Sequence, residues 1–451
     1  MSDDKHVSAR IARIALVGLA VLLIATMSSG RASAREIQYR SFSASAAIGP
    51  PAQAFAAKLQ AVTSTALGAS GEVHLIQLPG LPAIPGQFPD IVAAVAAGQS
   101  GGGFDAAYIS GGDLNKAWGF LYNSGVPFGP SFDEFLGFLY GKSVEGGSKT
   151  GLELAQEILA TRGRGIVALP IVGSSEQLSG YFREPLDDVR GHRGIGLSGL
   201  CQQHWTLRYL PPGEDALNRA CDTLVEDGRI PAKNISFIEA VPGGGSLLQA
   251  ALSGTIQGLE FATPLDDLSQ LFSSTGNIGT AGLRFVHTPG WQQQFLITWM
   301  IVNKSVWDSL DVRQQVLFQA VAQAHVAASY AENFRQQGPA MQAILDANHG
   351  DPKSEIVLSR WPVSDLGRLR AATIRVLDDR TTSASLPATD RADYARILEA
   401  LRLYVHANDL YWDHRQVDPR LRFDDWESPS GKCWEATCDH DRGHDQDRDR
   451  R

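Results

Sequence analysis

Short, nearly continuous apolar runs alternate with longer stretches whose apolar positions recur every three or four residues, and this alternation fills the first half of the chain. The short runs predict strands at 37–42, 73–78 and 104–109, and the longer stretches predict helices at 51–67 and 88–97. Strand and helix in turn imply a parallel sheet with crossover helices. Further along, 152–161 predicts a helix and the run GIVALPIV at 165–172 a buried strand. A strand is expected at 235–241, a short helix at 246–252 and a strand at 256–263. Residues 295–302 are apolar on both faces, as a central strand is. From Val312 to Asn348 the pattern is helical and rich in Ala and Gln, with Asp311 as the N-cap. An amphipathic helix follows at 391–403.

Charge and composition narrow the picture. Lys5, Arg10 and Arg13 precede an apolar run at 14–27, and Ala32-Ser33-Ala34 follows. These are the parts of a cleaved signal peptide over 1–34, which implies a periplasmic mature chain starting near Arg35. The apolar run falls short of the ~20 residues of a membrane span, though an uncleaved anchor is the alternative. A chain of 451 residues exceeds what one core usually serves, so two lobes are expected. A net charge of −9 lacks the basic footprint of a nucleic-acid binder. It also gives no long-range pull on an anion, so an organic acid would need a local cation inside a cleft. Of four cysteines, Cys433 and Cys438 form one natural pair and Cys201 and Cys221 the other. His440 and His444 near the first pair leave a weak metal site open. From Ser428 onward the sequence becomes a charged tail.

Residues 285–310, FVHTPGWQQQFLITWMIVNKSVWDSL, combine a Pro-Gly-Trp turn, an apolar strand and an Asn-Lys-Ser helix start. They resemble the matching segment of the solute receptors of TRAP (tripartite ATP-independent periplasmic) transporters. Four other segments resemble that family in the same order: Val126-Pro127-Phe128-Gly129 with the FDEF that follows, QLSGYFREPL at 177–186, Asp187-Asp188-Val189-Arg190-Gly191, and VPGGGSLLQAALSGTIQGLEF at 241–261. The resemblance implies an α/β, two-lobed periplasmic binding protein fold with an interlobe cleft and a long helix spanning both lobes. It implies a receptor that holds a small organic acid, a carboxylate or 2-oxo acid, and delivers it to the membrane permease subunits. No cofactor is required, though a bound cation bridging the ligand is in keeping with the family. A homodimer is an assembly the sequence leaves open. Lobe I is expected from 35–168 plus 258–288 and lobe II from 169–257 plus 289–345, with crossings near Ala168, Gln257 and Pro289. A helical region at 346–427 and the tail at 428–451 complete the chain.

The resemblance also nominates a ligand site. The family carries its ligand-binding arginine shortly after the segment matched by Asp187–Gly191. A gapped match makes this Arg193, whose planar fork suits a carboxylate, and an ungapped one puts Ile195 there. Gln177 follows the 165–172 strand, where open α/β sheets place ligands. With Glu260 it offers hard oxygens for a cation, and Phe261 matches a neighbouring position. Tyr108 matches a ligand-contacting aromatic stretch. The family's Glu within the Gly-Gly turn is Gly245 here, its Asp before Gly258 is Gln257, and its Glu-Trp pair is Glu260-Phe261. Each candidate has a structural alternative: a surface arginine, a salt-bridged glutamate, a core tyrosine. Trp291 reads as hinge packing.

Gly98-Gln99-Ser100-Gly101-Gly102 matches a nucleophile elbow as a string, but it follows a helix and leads into a strand, the reverse of what an elbow needs. A secreted hydrolase is therefore the distant alternative. A periplasmic binding protein with a sensing or scavenging role is the nearer one.

Overall fold

The computed structural model describes residues 34–42, 49–78, 84–123, 126–238, 244–273 and 276–415. The expected signal peptide, the Cys433–Cys438 pair and the charged tail lie outside these residues. The chain begins with strand β1 (Arg35–Ser41), helix α1 (Gly49–Leu67), β2 (Val73–Gln77), α2 (Ile91–Ala97) and β3 (Ala106–Ser110). Helices α3 (Gly119–Asn123), α4 (Phe132–Tyr140) and α5 (Gly151–Thr161) lead to β4 (Ile166–Ser174). Reciprocal capping boxes start two of these helices, Ser131 with Glu134 in α4 and Thr150 with Glu153 in α5.

The chain then passes to a second sheet through β5 (Gly180–Phe182), α6 (Gly196–Gln202), β6 (Thr206–Arg208), α7 (Gly213–Glu226), β7 (Ser236–Phe237), α8 (Gly244–Leu252) and β8 (Gly258–Leu259). Helix α9 (Pro264–Leu271), a small ribbon of β9 (Phe272–Ser273) and β10 (Gly276–Asn277), and β11 (Phe285–Thr288) follow. Strand β12 (Leu296–Asn303) returns to the first sheet, ahead of α10 (Lys304–Asp308) and α11 (Val312–Asp346). Strand β13 (Val357–Arg360) and helices α12 (Val363–Thr382) and α13 (Ala388–Arg415) end the described chain.

The first sheet has the order β2-β1-β3-β12-β4, and the second β13-β11-β5-β8-β6-β7. In the first, β1 runs parallel to β2 and β3, and β12 runs antiparallel between β3 and β4. The near-continuous apolar character of β12 follows from this central place, where all but its first residue are buried. The second sheet is mixed: β6 is parallel to both β7 and β8, while β5 is antiparallel to β8 and β11.

Each sheet has its own core, which defines two lobes. Phe55, Leu59, Tyr108 and Ile171 lie in the first. Phe182, Leu207 and Trp361 lie on one face of the second, and Tyr181, Leu259 and Val286 on its other face. Helix α11 joins them. Phe318, Val321 and Ala322 enter the first core, and Ile344 near its other end enters the second. At ~1.5 Å per residue its 35 residues span about 50 Å, enough to run behind both lobes.

The lobe boundaries differ from the sequence expectation. Strands β8 and β11, within 258–288, belong to the second sheet, and β12, within 289–345, belongs to the first. The crossings fall at 174–180 and 288–296, and Gln257 is an internal residue of the second lobe, its side chain accepting a bond from Thr206 N at 2.7 Å. The pairing of β11 with β5 explains this: a strand hydrogen-bonded along β5 cannot lie in the other sheet. The 346–427 region is also more than helical, since β13 extends the second sheet beside β11. Cys201 and Cys221 form a disulfide that ties α6 to α7.

His287, on β11, stacks on Phe182 at 4.5 Å, and its Nε2 lies 3.1 Å from the Glu184 carbonyl. Burial pushes its pKa down to about 3. The unfolded chain therefore binds a proton at this residue that the folded one does not, between about pH 6.5 and 3. The stability it supports is full above about 6.5 and falls as the pH drops through that window. Urea melts from pH 7.5 to 4 should show an acid-side slope of which one proton, ~1.4 kcal/mol per pH unit, disappears in His287→Phe. An unchanged slope in that variant would refute the assignment.

Candidate functional site

The crossing segments and the carboxyl ends of β6 and β8 meet at one end of the second sheet. Gln177 lies on the first crossing and Gly290 to Gln293 on the second. Gln177 N donates to Gln293 O at 3.2 Å, and Gln292 Nε2 donates to Leu178 O at 2.7 Å. Tyr209 Oη, just past β6, donates to Ser179 O at 2.6 Å. The two crossings touch so closely that a Cβ on Gly290 would sit 1.7 Å from Gln177 O. Phe128 of the first lobe stacks on Trp291 at 5.4 Å, and its N donates to Trp291 O at 3.0 Å. Trp291 thus packs at the joint between the lobes.

Glu260 follows β8 and is 1% exposed. Arg208, the last residue of β6, is 6% exposed and sits beside it. Its Nη1 donates to Glu260 O at 2.5 Å and lies 3.4 Å from Glu260 Oε2. Leu210 N also donates to that oxygen, at 3.3 Å. Burial pushes the Glu260 carboxyl up to about 7, and the Arg208 charge opposes the rise only in part. Gln177 is 5% exposed, with its Nε2 3.4 Å from Phe261 O. The arrangement leaves polar atoms unsatisfied. Gln177 Oε1, Glu260 Oε1, Arg208 Nε, Gln293 Nε2 and Ser174 Oγ are all buried without a hydrogen-bond partner among the described residues. Folded proteins seldom leave such groups unpaired, and water or a ligand ordinarily supplies the missing partners. A narrow cavity lined by Pro51, Gly173, Ser174, Asp266, Thr298 and Asn333 among others shares only Ser174 with this set.

The sequence-predicted residues separate into two groups. Gln177, Glu260 and Phe261 come together at this end of the second sheet, with Phe261 half-buried against the second core. Arg193 does not join them. It is exposed, just after a turn closed by pairing of Val189 with His192, and His192 Nε2 lies 2.7 Å from Arg284 Nη2. Because β5 and β11 are antiparallel, the start of β11 marks the end of the sheet remote from Gln177. Ile195 precedes α6 and packs against the second core. Tyr108 lies inside the first core, with its hydroxyl 2.5 Å from Thr298 Oγ1. The arginine that does reach the site, Arg208, escaped sequence reasoning. Its signal was an arginine inside the apolar run Trp205-Thr206-Leu207-Arg208-Tyr209-Leu210. The Gly98–Gly102 string lies between α2 and β3 with Ser100 exposed.

Two α/β lobes joined by two crossing segments and a long shared helix define a two-lobed binding-protein fold. No family model matches the chain, and no curated protein matches it. Solved structures do match, and they are solute-binding proteins of TRAP transporters. One from Bordetella bronchiseptica RB50, with copurified calcium and picolinate, is similar at a TM-score of 0.59 and 15% identity, over 85% of this chain and 97% of that one. One from Colwellia psychrerythraea, with calcium and pyruvate, matches at 0.59 and 15%, over 84% and 97%. One from Pseudoalteromonas atlantica T6c, with sodium and pyruvate, matches at 0.58 and 15%, over 85% and 99%. The chain shares their fold.

Gly290→Ala should destabilise the protein by about 1–3 kcal/mol, as overpacking does, because its Cβ displaces Gln177. Gly367 in α12 has open space around it, and Gly367→Ala should stabilise by about 0.5–1 kcal/mol. Paired urea melts test both. A neutral Gly290→Ala would mean that the crossings are not held together as described.

Proposed function

We propose that this chain is an extracytoplasmic solute receptor of the TRAP type. It binds a small organic acid between its lobes without converting it, and hands it to a membrane permease. The observation that carries this reading is the set of buried, unpartnered atoms on Arg208, Gln177 and Glu260. Arg208 supplies the local cation that an acidic protein needs for an anionic ligand. We assign it the carboxylate in place of Arg193, since a guanidinium offers paired donors to both oxygens.

The neighbours with bound calcium or sodium raise the question of a cation here. Gln177 Oε1 and Glu260 Oε1 are hard oxygen donors without partners, and Phe261 O lies beside the Gln177 amide. The set fits Ca2+ or Na+. Gln177 and Glu260 would hold such an ion, which would supply positive charge for an anionic ligand such as a 2-oxo acid. Gln177 orients its oxygen by bonding the Phe261 carbonyl, and Leu210 N and Arg208 hold the other Glu260 oxygen in place. Burial of these residues keeps water from competing.

Thermal-shift measurements with pyruvate, picolinate and uronic acids, each with Ca2+ or Na+, test the reading. Ligand at 100 times its Kd adds ~2.7 kcal/mol, a rise of several degrees in a chain of this size. Arg208→Ala should abolish the rise and Arg193→Ala should leave it intact. The reverse pattern, or a response to neutral compounds alone, would remove the carboxylate reading.

A further inference from the structure

Helix α11 is apolar on two opposite sides. Its inward side carries Phe318, Val321 and Ala322, which share the first core with Phe55 and Leu59 of α1. At ~3.6 residues per turn, Val316, Ala320, Gln323, Ala327 and Phe334 fall on the outward side, and all five are exposed. Val312, one turn before Val316, is 74% exposed, and Phe334 is 56% exposed. Helix α1 lies antiparallel beside α11. His325 Nε2 is 3.0 Å from Pro51 O in the first turn of α1, and Gln314 Nε2 donates at 3.2 Å to Gly71 O, just past its end. The outward side of α1 carries Ala54, Ala57 and Ala61, also exposed. Charge is nearly absent from both helices here. Charged residues make up 20% of the chain, yet Lys58 is the sole Asp, Glu, Lys or Arg in 51–67 and 314–331.

We propose that the outward face of α1 and α11 is the interface of a homodimer, covered by the same face of a second copy about a two-fold axis. A helix that is apolar all round is ordinarily buried all round. Two observations select a second copy as the cover. The first is charge. A net charge of −9 makes copies repel one another, and here two of them can meet with almost no like charges opposed. The exception is Lys58, whose long stem lets its ammonium reach the rim. A charged partner or an anionic membrane would need a charged face to bind, and one lysine does not make one. The second is size. The face runs about 33 Å along α11 from Val312 to Phe334 and about 20 Å across the two helices. Two copies would bury about 1,200 Å² in all, the lower end of the range for specific interfaces. An interface of that size gives a dimer that forms and dissociates with concentration.

Sedimentation velocity on the chain without its expected signal peptide tests this, whatever the cleft binds. Between about 1 and 200 μM the average mass should rise from one chain toward two, with a micromolar dissociation constant. Raising NaCl from about 50 to 500 mM should tighten the dimer, because screening weakens the repulsion between two acidic copies. Ala327→Glu on α11 and Ala61→Glu on α1 each put a carboxylate on the face, and each should raise the dissociation constant about tenfold or more. Both sites are exposed, so the circular dichroism melt of either variant at low concentration should match the parent. Ala343→Glu, exposed on α11 but outside the face, should leave association unchanged. A chain that stays monomeric at every concentration overturns the proposal and leaves the face to a different protein. So does a dimer that weakens with salt, or one that survives both Ala327→Glu and Ala61→Glu.

Discussion

A carboxylate that water cannot reach organises the cleft end of the second lobe. Taking Glu260 out of solvent is costly, and the cost is met only in part. Arg208 sits at the end of the neighbouring parallel strand, and Leu210 N bonds one oxygen. The other oxygen is left alone. A buried pair that is half satisfied adds little to stability, yet removing one partner costs about 3–5 kcal/mol. Such a pair constrains the fold strongly while leaving it short of a partner. That imbalance is the physical reason for reading the site as one that a ligand completes.

Parallel pairing of β6 with β8 puts both residues at strand ends facing the same way, and the antiparallel β5 beside β8 brings the chain back to the crossings. Gln177 can therefore meet Phe261 and Gln293 although neither is near it in sequence. The close approach of Gly290 fixes the distance between the crossings, which sets where the first lobe can stand.

Much of this was legible in the sequence. The parallel start of the first sheet, the apolar central strand and the long helix all follow from periodicity, because each repeats its pattern over enough residues. Gln177, Glu260 and Phe261 were nominated because the segments around them resemble a family, and the fold brings them near one another. Lobe membership was misread at 258–345 because strand order in a discontinuous domain depends on pairing, and β8, with two residues, carries almost no pattern of its own. Helix α7 was overlooked for a different reason. Its apolar positions face a core built by distant segments, and charged residues fill the rest of its surface.

Arg208 shows why local spacing fails at such a site. The search for a cation stayed within a few residues of Asp187–Gly191, and it ended on Arg193. Helix α6 instead stands between that segment and the next strand, and a disulfide pins that helix to α7. The buried arginine is therefore distant from that segment in sequence while lying beside Glu260 in space. What identifies Arg208 is its surroundings: an arginine inside an apolar strand has to find an acceptor, and the nearest strand end offers a carboxylate that would otherwise be buried alone. The two residues require each other.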